Sequence, residues 1–187
     1  MTRKCDRLLR ALLVLAMVAT TPMSQHQAMA ASAAELNRDA AAALKHLYDS
    51  EPAAKALGAR AKGILVFPNI IKAGFIVGGQ YGEGALRKGD RTVAYYNTVA
   101  ASYGLQAGAQ EFGYALFFMN DSALKYLDKS GGWEIGTGPS IVIVDEGKAG
   151  GITTTTAQSD IYAFFFSQKG LMAGLGLQGS KISRISK

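Results

Sequence analysis

Thiol chemistry is nearly absent from this chain: its single cysteine, Cys5, lies among the first residues, and only two of its 187 residues are histidine. Disulfides and cysteine-based metal sites therefore have no material beyond position 5. One of the two histidines, His26, also falls in the leading segment, which leaves His46. That residue sits between Lys45 and Leu47 on a helical pattern, with no nucleophile or orienting acid spaced for a triad. Proline occurs four times and tryptophan once. No apolar run reaches the roughly 20 residues a membrane-spanning helix needs.

What is present begins with a leader. Arg3, Lys4, Arg7 and Arg10 precede the apolar run Leu8 to Val18, and Ala28-Met29-Ala30 closes the segment. A basic start, an apolar middle and a small-x-small end read as a secretory signal over residues 1–30, with a mature start at Ala31. Cys5 precedes the apolar run and cannot serve as a lipobox cysteine, and the arginines are not paired as a twin-arginine signal requires. Removal of the leader takes away four basic residues and one acidic residue, so the net charge falls from +6 to +3. That excess suits a weak preference for anionic partners and does not mark a nucleic-acid binder. The remaining 157 residues are enough for one domain with a normal core.

Ser32 with Glu35 forms a capping box, and Leu36, Ala40, Leu44 and Leu47 recur on one face, so Ser32 to Tyr48 is expected to be helical. Asp49-Ser50 with Pro52 predicts a second short helix carrying Lys55 and Arg60. Beyond Lys62 the pattern is strand: Ile64 to Phe67, Gly74 to Leu86, Thr92 to Tyr96, Ser102 to Ala109 and Glu111 to Met119. Asn120-Asp121-Ser122 offers an N-cap for a helix over Ala123 to Lys129. Trp133–Ile135, Ile141–Val144, Ile152–Thr156, Ile161–Phe166, Leu171–Leu177 and Lys181–Ile185 complete the series. The expected fold is α+β: N-terminal helices packed on a curled, mostly antiparallel, glycine-rich sheet, barrel- or sandwich-like, with one inserted short helix.

Gly78, Gly82 and Gly84 share one face of their strand, which allows another backbone or a ligand such as an acyl chain to approach; packing of the Gly174 and Gly176 strand against it is the expected use. No enzyme emerges. Asp145-Glu146-Gly147 reads as a turn, and a hydrolase built on Asp145 has little support. Gly136-Thr137-Gly138-Pro139 lacks the third glycine of a dinucleotide fingerprint and the lysine of a phosphate loop. Lys62, Lys72, Arg87, Lys88, Arg91, Lys169, Lys181 and Arg184 all fall at strand starts or turns. They could converge on one rim or simply protect sheet edges.

Ala61-Lys62-Gly63, Lys72-Ala73-Gly74-Phe75, Gly79-x-x-Gly82-x-Gly84, Ser167-Gln168-Lys169-Gly170-Leu171-Met172-Ala173-Gly174 and Gln178-Gly179-Ser180 together resemble the SYLF lipid-binding domain. The resemblance covers Pro52 to about Ser186 and implies non-enzymatic binding of anionic phospholipids, with no cofactor and no metal. Eukaryotic members are joined to Src-homology or zinc-finger modules and bind phosphoinositides and actin. Their lipid-binding region includes a basic amphipathic N-terminal segment, which corresponds here to the stretch ending in Lys55, Arg60 and Lys62. This chain differs in its export signal, its alanine-rich first segment and its lack of an accessory module. It is expected to be a bacterial exported protein of the periplasm, the outer envelope or the medium, where actin is not a partner. The expected site is a basic rim of Lys55, Arg60, Lys62, Lys72 and Lys169 that meets anionic phospholipid. The alternative is an envelope adaptor whose exposed sheet edge pairs with another protein.

Overall fold

The computed structural model describes residues 31–75, 77–103, 108–144, 158–170, 177 and 179–187. The expected export signal, the expected Asp145-Glu146-Gly147 turn, the expected Ile152–Thr156 strand, nearly all of the expected Leu171–Leu177 strand and much of the expected Ser102–Ala109 strand lie outside those residues.

Helix α1 is Ala33–Ser50. The capping box is present: the Ser32 hydroxyl accepts from the Glu35 N–H, and Glu35 accepts from the Ser32 N–H at 2.9 Å. Leu36, Ala40, Leu44 and Leu47 are its buried face. Helix α2, Pro52–Gly58, starts from Glu51, which gives no side-chain cap. The expected Asp49-Ser50 cap is thus corrected. Asp49 instead pairs with Lys45 inside α1, and the Ser50 hydroxyl donates back to the His46 carbonyl.

The strands are β1 Gly63–Phe75, β2 Val77–Lys88, β3 Arg91–Tyr103, β4 Gly108–Phe118, β5 Trp133–Glu134, β6 Ile141–Val144, β7 Ile161–Gly170 and β8 Lys181–Ile185. Between β4 and β5 lie helix α3, Asp121–Leu124, and a 3-10 turn, Lys125–Asp128. Of the expected cap residues Asn120-Asp121-Ser122 it is Asn120 whose side chain caps α3, accepting from the Ala123 N–H at 2.8 Å, and the expected Ala123–Lys129 helix is instead this short α-turn followed by the 3-10 turn. One eight-stranded sheet runs in the order β5-β8-β3-β2-β1-β4-β7-β6. Every pairing is antiparallel except the parallel β6–β7 pair.

The expectation of separate strands on either side of Pro68 is corrected. One 13-residue strand passes through the proline. It does so by a bulge: Val66 faces Ala85 and Asn69 faces Glu83, while Phe67 faces Tyr114 and Ile70 faces Phe112. On both sides β1 spends one residue more than its partner. A proline has no N–H to give a ladder, so a bulge is where a central strand can hold one.

The two faces of the sheet bury different cores. Ile64, Val66, Ala115, Phe117, Tyr162 and Phe164 pack with α1 and α2. Leu65, Phe67, Ile70, Tyr114, Leu116 and Phe118 pack on the other face with α3, Trp133 and Ile182. The rings of Phe118 on β4 and Trp133 on β5 lie 6.1 Å apart. Those strands are five positions apart in the sheet, about 24 Å if it were flat. The sheet therefore curls toward the Trp133 side into an open half-barrel, with α1 and α2 on its convex face. Of the two expected forms, barrel-like is the one seen.

Candidate functional site: a basic end, an apolar end and a polar concave floor

The glycine face of β2 looks into the half-barrel. A Cβ at Gly84 would meet the Phe67 ring at 2.6 Å and the Val66 carbonyl at 2.8 Å, and one at Gly82 would meet Ile70 and Asn69. The space is filled by the bulge residues of β1. At these two positions the face packs against residues of β1 itself; the expected partner, the Gly174 and Gly176 strand, lies outside the described residues.

The five expected basic residues do not form one rim. Lys62 precedes β1 and its N–H donates to the Phe118 carbonyl at 2.8 Å. Lys72 lies ten residues further along the same strand, roughly 30 Å away at about 3.3 Å per residue. Lys72 is also turned inward, only 9% exposed. Its register partners are Gln80 on β2 and Gln110 on β4. Lys169 is exposed at the Lys72 end of the molecule, opposite Glu111 and on the convex face. Between Phe166 and Lys169, β7 carries an extra residue relative to β4, and Ser167 there takes φ 54°, a left-handed conformation.

Lys55, Arg60 and Lys62 are exposed at or near the start of β1. That end gains residues left out of the expected site. Ile64 pairs with Arg87, and the β2–β3 turn closes through Lys88 opposite Arg91. Arg60, Lys62, Arg87, Lys88 and Arg91 thus belong to one end of the sheet. Tyr48 joins the helices to it, with its hydroxyl against Gly58 and Arg87 near enough to act on its charge. Burial nevertheless keeps the Tyr48 pKa above the ordinary phenol value. Val93, 45% exposed, is a large apolar side chain within this group.

The opposite end is apolar on its convex face. Ile71, Tyr81 and Val99 are direct partners across β1, β2 and β3. With Val77 they are four of the five large apolar side chains exposed among the described residues, so the apolar surface of those residues is concentrated here rather than scattered. In the same row Glu111 faces Lys169 on one side and Lys181 faces Glu134 on the other. No helix among the described residues is long and apolar enough to cross a membrane. Among them, no three of His, Cys, Asp and Glu come together to hold a metal ion.

The concave floor holds the buried polar groups. Gln80 and Gln110 are 6% and 5% exposed, and Thr98 and Ser180 are fully buried. Tyr114 is buried too, and burial pushes its phenol well above the ordinary value, with Thr98 close enough to pull slightly the other way. Neither hydroxyl completes a hydrogen bond by distance and angle among the described residues.

The family model described as Ysc84, Las17-binding protein actin regulator, matches residues 99–187. That model is the SYLF one, and the matched part of the chain is similar to it. The match spans most of the sheet from late β3 onward, including the Ser167–Gly174 motif with its bulge. The β1–β2 hairpin, which carries the other SYLF-like motifs, precedes it. No curated protein matches the chain. The SYLF family is associated with actin and lipid binding.

Proposed function

We propose that this protein binds anionic phospholipid surfaces without catalysis, through the basic end of its half-barrel. Arg60, Lys62, Arg87, Lys88 and Arg91 are the observation that carries the reading, because helix and turn cations are supplied to one end by the β1–β2–β3 register. Phosphates would meet these cations while Val93 contacts the interface, and Lys55 adds to the field from α2. The setting we propose is the bacterial envelope, supported by the leader-like composition of residues 1–30.

Co-sedimentation with anionic and neutral vesicles tests this. Each cation near an anionic surface contributes about 1 kcal/mol. The triple variant Lys62→Gln, Lys88→Gln, Arg91→Gln should therefore lose about a hundredfold in affinity at low salt. Wild-type binding should weaken as salt rises. Unchanged binding in the variant, or binding indifferent to salt, rejects the reading.

A second reading, an envelope adaptor acting through protein contacts, draws on the exposed Ile71, Tyr81 and Val99 row. A sheet edge favours it less. Among the described residues the edge strands β5 and β6 are only two and four residues long. Vesicle binding unaltered by Ile71→Ser would keep the two readings apart.

A further inference from the structure

The helices α1 and α2 cover the half of the convex face near the start of β1, and the far half is bare among the described residues. There the row Val99–Tyr81–Ile71 crosses β3, β2 and β1. One step along the strands lies a second row on the same face, Ala101–Gly79–Ala73, continued on β4 by Ala109. All four of these small residues are exposed. Gly79 differs from Gly82 and Gly84: among the described residues a Cβ there would meet only the Ala100 carbonyl, at 4.0 Å. The fold itself therefore does not need a glycine at this position. A glycine inside a strand weakens it and often marks a place where another backbone or a ligand comes close. A ridge of large side chains thus runs beside a ledge of small ones, with Val77 exposed beyond the ledge.

Ridge and ledge cross the same three strands, so the face is complementary to itself. A two-fold axis running across the strands lays β2 of one copy antiparallel on β2 of the other. Val99, Tyr81 and Ile71 of each copy then sit on Ala101, Gly79 and Ala73 of the other, large on small. The same axis carries the helix layer of each copy past the β1–β2 hairpin end of the other. That layer begins at the Glu83 row, where Lys187 holds the Ala31 carbonyl. An axis along the strands would instead drive the two helix layers into each other. No charged partner is selected, because Lys181 and Glu111 at the ends of the ridge are register partners of Glu134 and Lys169. Both faces curve away from the middle strands, which limits the contact to about 20 Å each way, or some ~800 Å² over both copies. That is below the size of a standard stable interface. We propose that a second copy of this chain covers this face, in a weak antiparallel dimer. Its two basic ends point in opposite directions, so the pair bridges two anionic surfaces, a consequence that rests on the surface reading above.

Sedimentation velocity of the full chain between about 1 and 100 μM tests the proposal. Wild type should pass from monomer to dimer across that range. Ile71→Gln, which takes an apolar side chain from the ridge, should weaken association by about tenfold or more. Gly79→Val fills the ledge where the fold leaves room, so it should weaken association as much while its urea midpoint stays level or rises. Circular dichroism checks that both variants are folded. Wild type should cluster anionic vesicles and the two variants should not, with co-sedimentation unchanged in all three. Loss of co-sedimentation alone rejects the surface reading and leaves the sedimentation result to decide the dimer. Dimers that bind vesicles without clustering them reject the antiparallel arrangement. The proposal is overturned if wild type stays monomeric, or if either variant associates as wild type does. It is equally overturned if Gly79→Val binds neutral vesicles more tightly and associates no less, since the face would then meet lipid.

Discussion

Gly84 and Lys72 show how much depends on single positions in the β1–β2 hairpin. Gly84 is required by contact: its missing Cβ leaves room for the Phe67 ring that the β1 bulge directs into the half-barrel. Gly84→Ala should therefore destabilise by about 1–3 kcal/mol through overpacking, measurable as a lower urea midpoint with an unchanged slope. The sequence showed that this face was bare and that packing was the expected use. It pointed to the Gly174 and Gly176 strand as the filler, not to Phe67 and Ile70 of the neighbouring strand. Lys72 resembled Lys62 as the polar start of an apolar run, and both were expected on a surface rim. The alternation Leu65 in, Val66 out, Phe67 in would have placed Lys72 outward had it continued unbroken. The extra residue at Pro68 shifts the phase by one, so Ile71 turns out to solvent and Lys72 turns in.

Among the elements, those with local signals were readable and those joined over long separations were not. The α1 capping box and the Asn120 cap each depend on residues three apart, and both form as expected. The link between β7, β6 and α3 has no such signature. The Asp160 carboxylate accepts from the Asn120 side chain at 2.8 Å and from the Ser140 N–H and hydroxyl at 2.9 and 2.8 Å. The Asp160 carbonyl accepts from the Met119 N–H, and the Ser140 hydroxyl accepts in turn from the Asp160 N–H. These bonds, led by those from Ser140, hold the carboxyl below its ordinary value of 3.8. A depressed folded pKa contributes stability that is fully present above the unfolded value and lost as pH falls through the folded one. Asp160→Asn should cost about 1 kcal/mol at pH 7, discounted for solvent exposure. In thermal melts across pH, the gap to wild type should stay constant down to about pH 4 and close below it. A gap that persisted at lower pH would show that the charge contributes nothing.

At the scale of the whole molecule, one ion pair joins distant parts of the chain. Lys187 Nζ lies 2.7 Å from Glu83 Oε2 and donates to the Ala31 carbonyl at 2.7 Å, so β2, the approach to α1 and the last residue meet at one point. Both side chains are about nine-tenths buried, and Glu83 also accepts from the Tyr81 hydroxyl. Glu83→Gln should cost about 2 kcal/mol in denaturant titration and speed amide exchange in the first turn of α1. A loss confined to β2, with α1 unaffected, would reject that coupling. The sequence by itself determined α1, the turn between β2 and β3, the curled α+β architecture and the SYLF resemblance, because caps, side-chain alternation and motif order are local properties of the chain. It did not place the strand ends, since β1 and β2 divide the expected Gly74–Leu86 strand and β3 joins Thr92–Tyr96 to Ser102. Only the tertiary structure decided where the charges went. Strand pairing brought Arg87, Lys88 and Arg91 to the Lys62 end, and one bulge sent Lys72 inside, because register and phase are properties of paired strands.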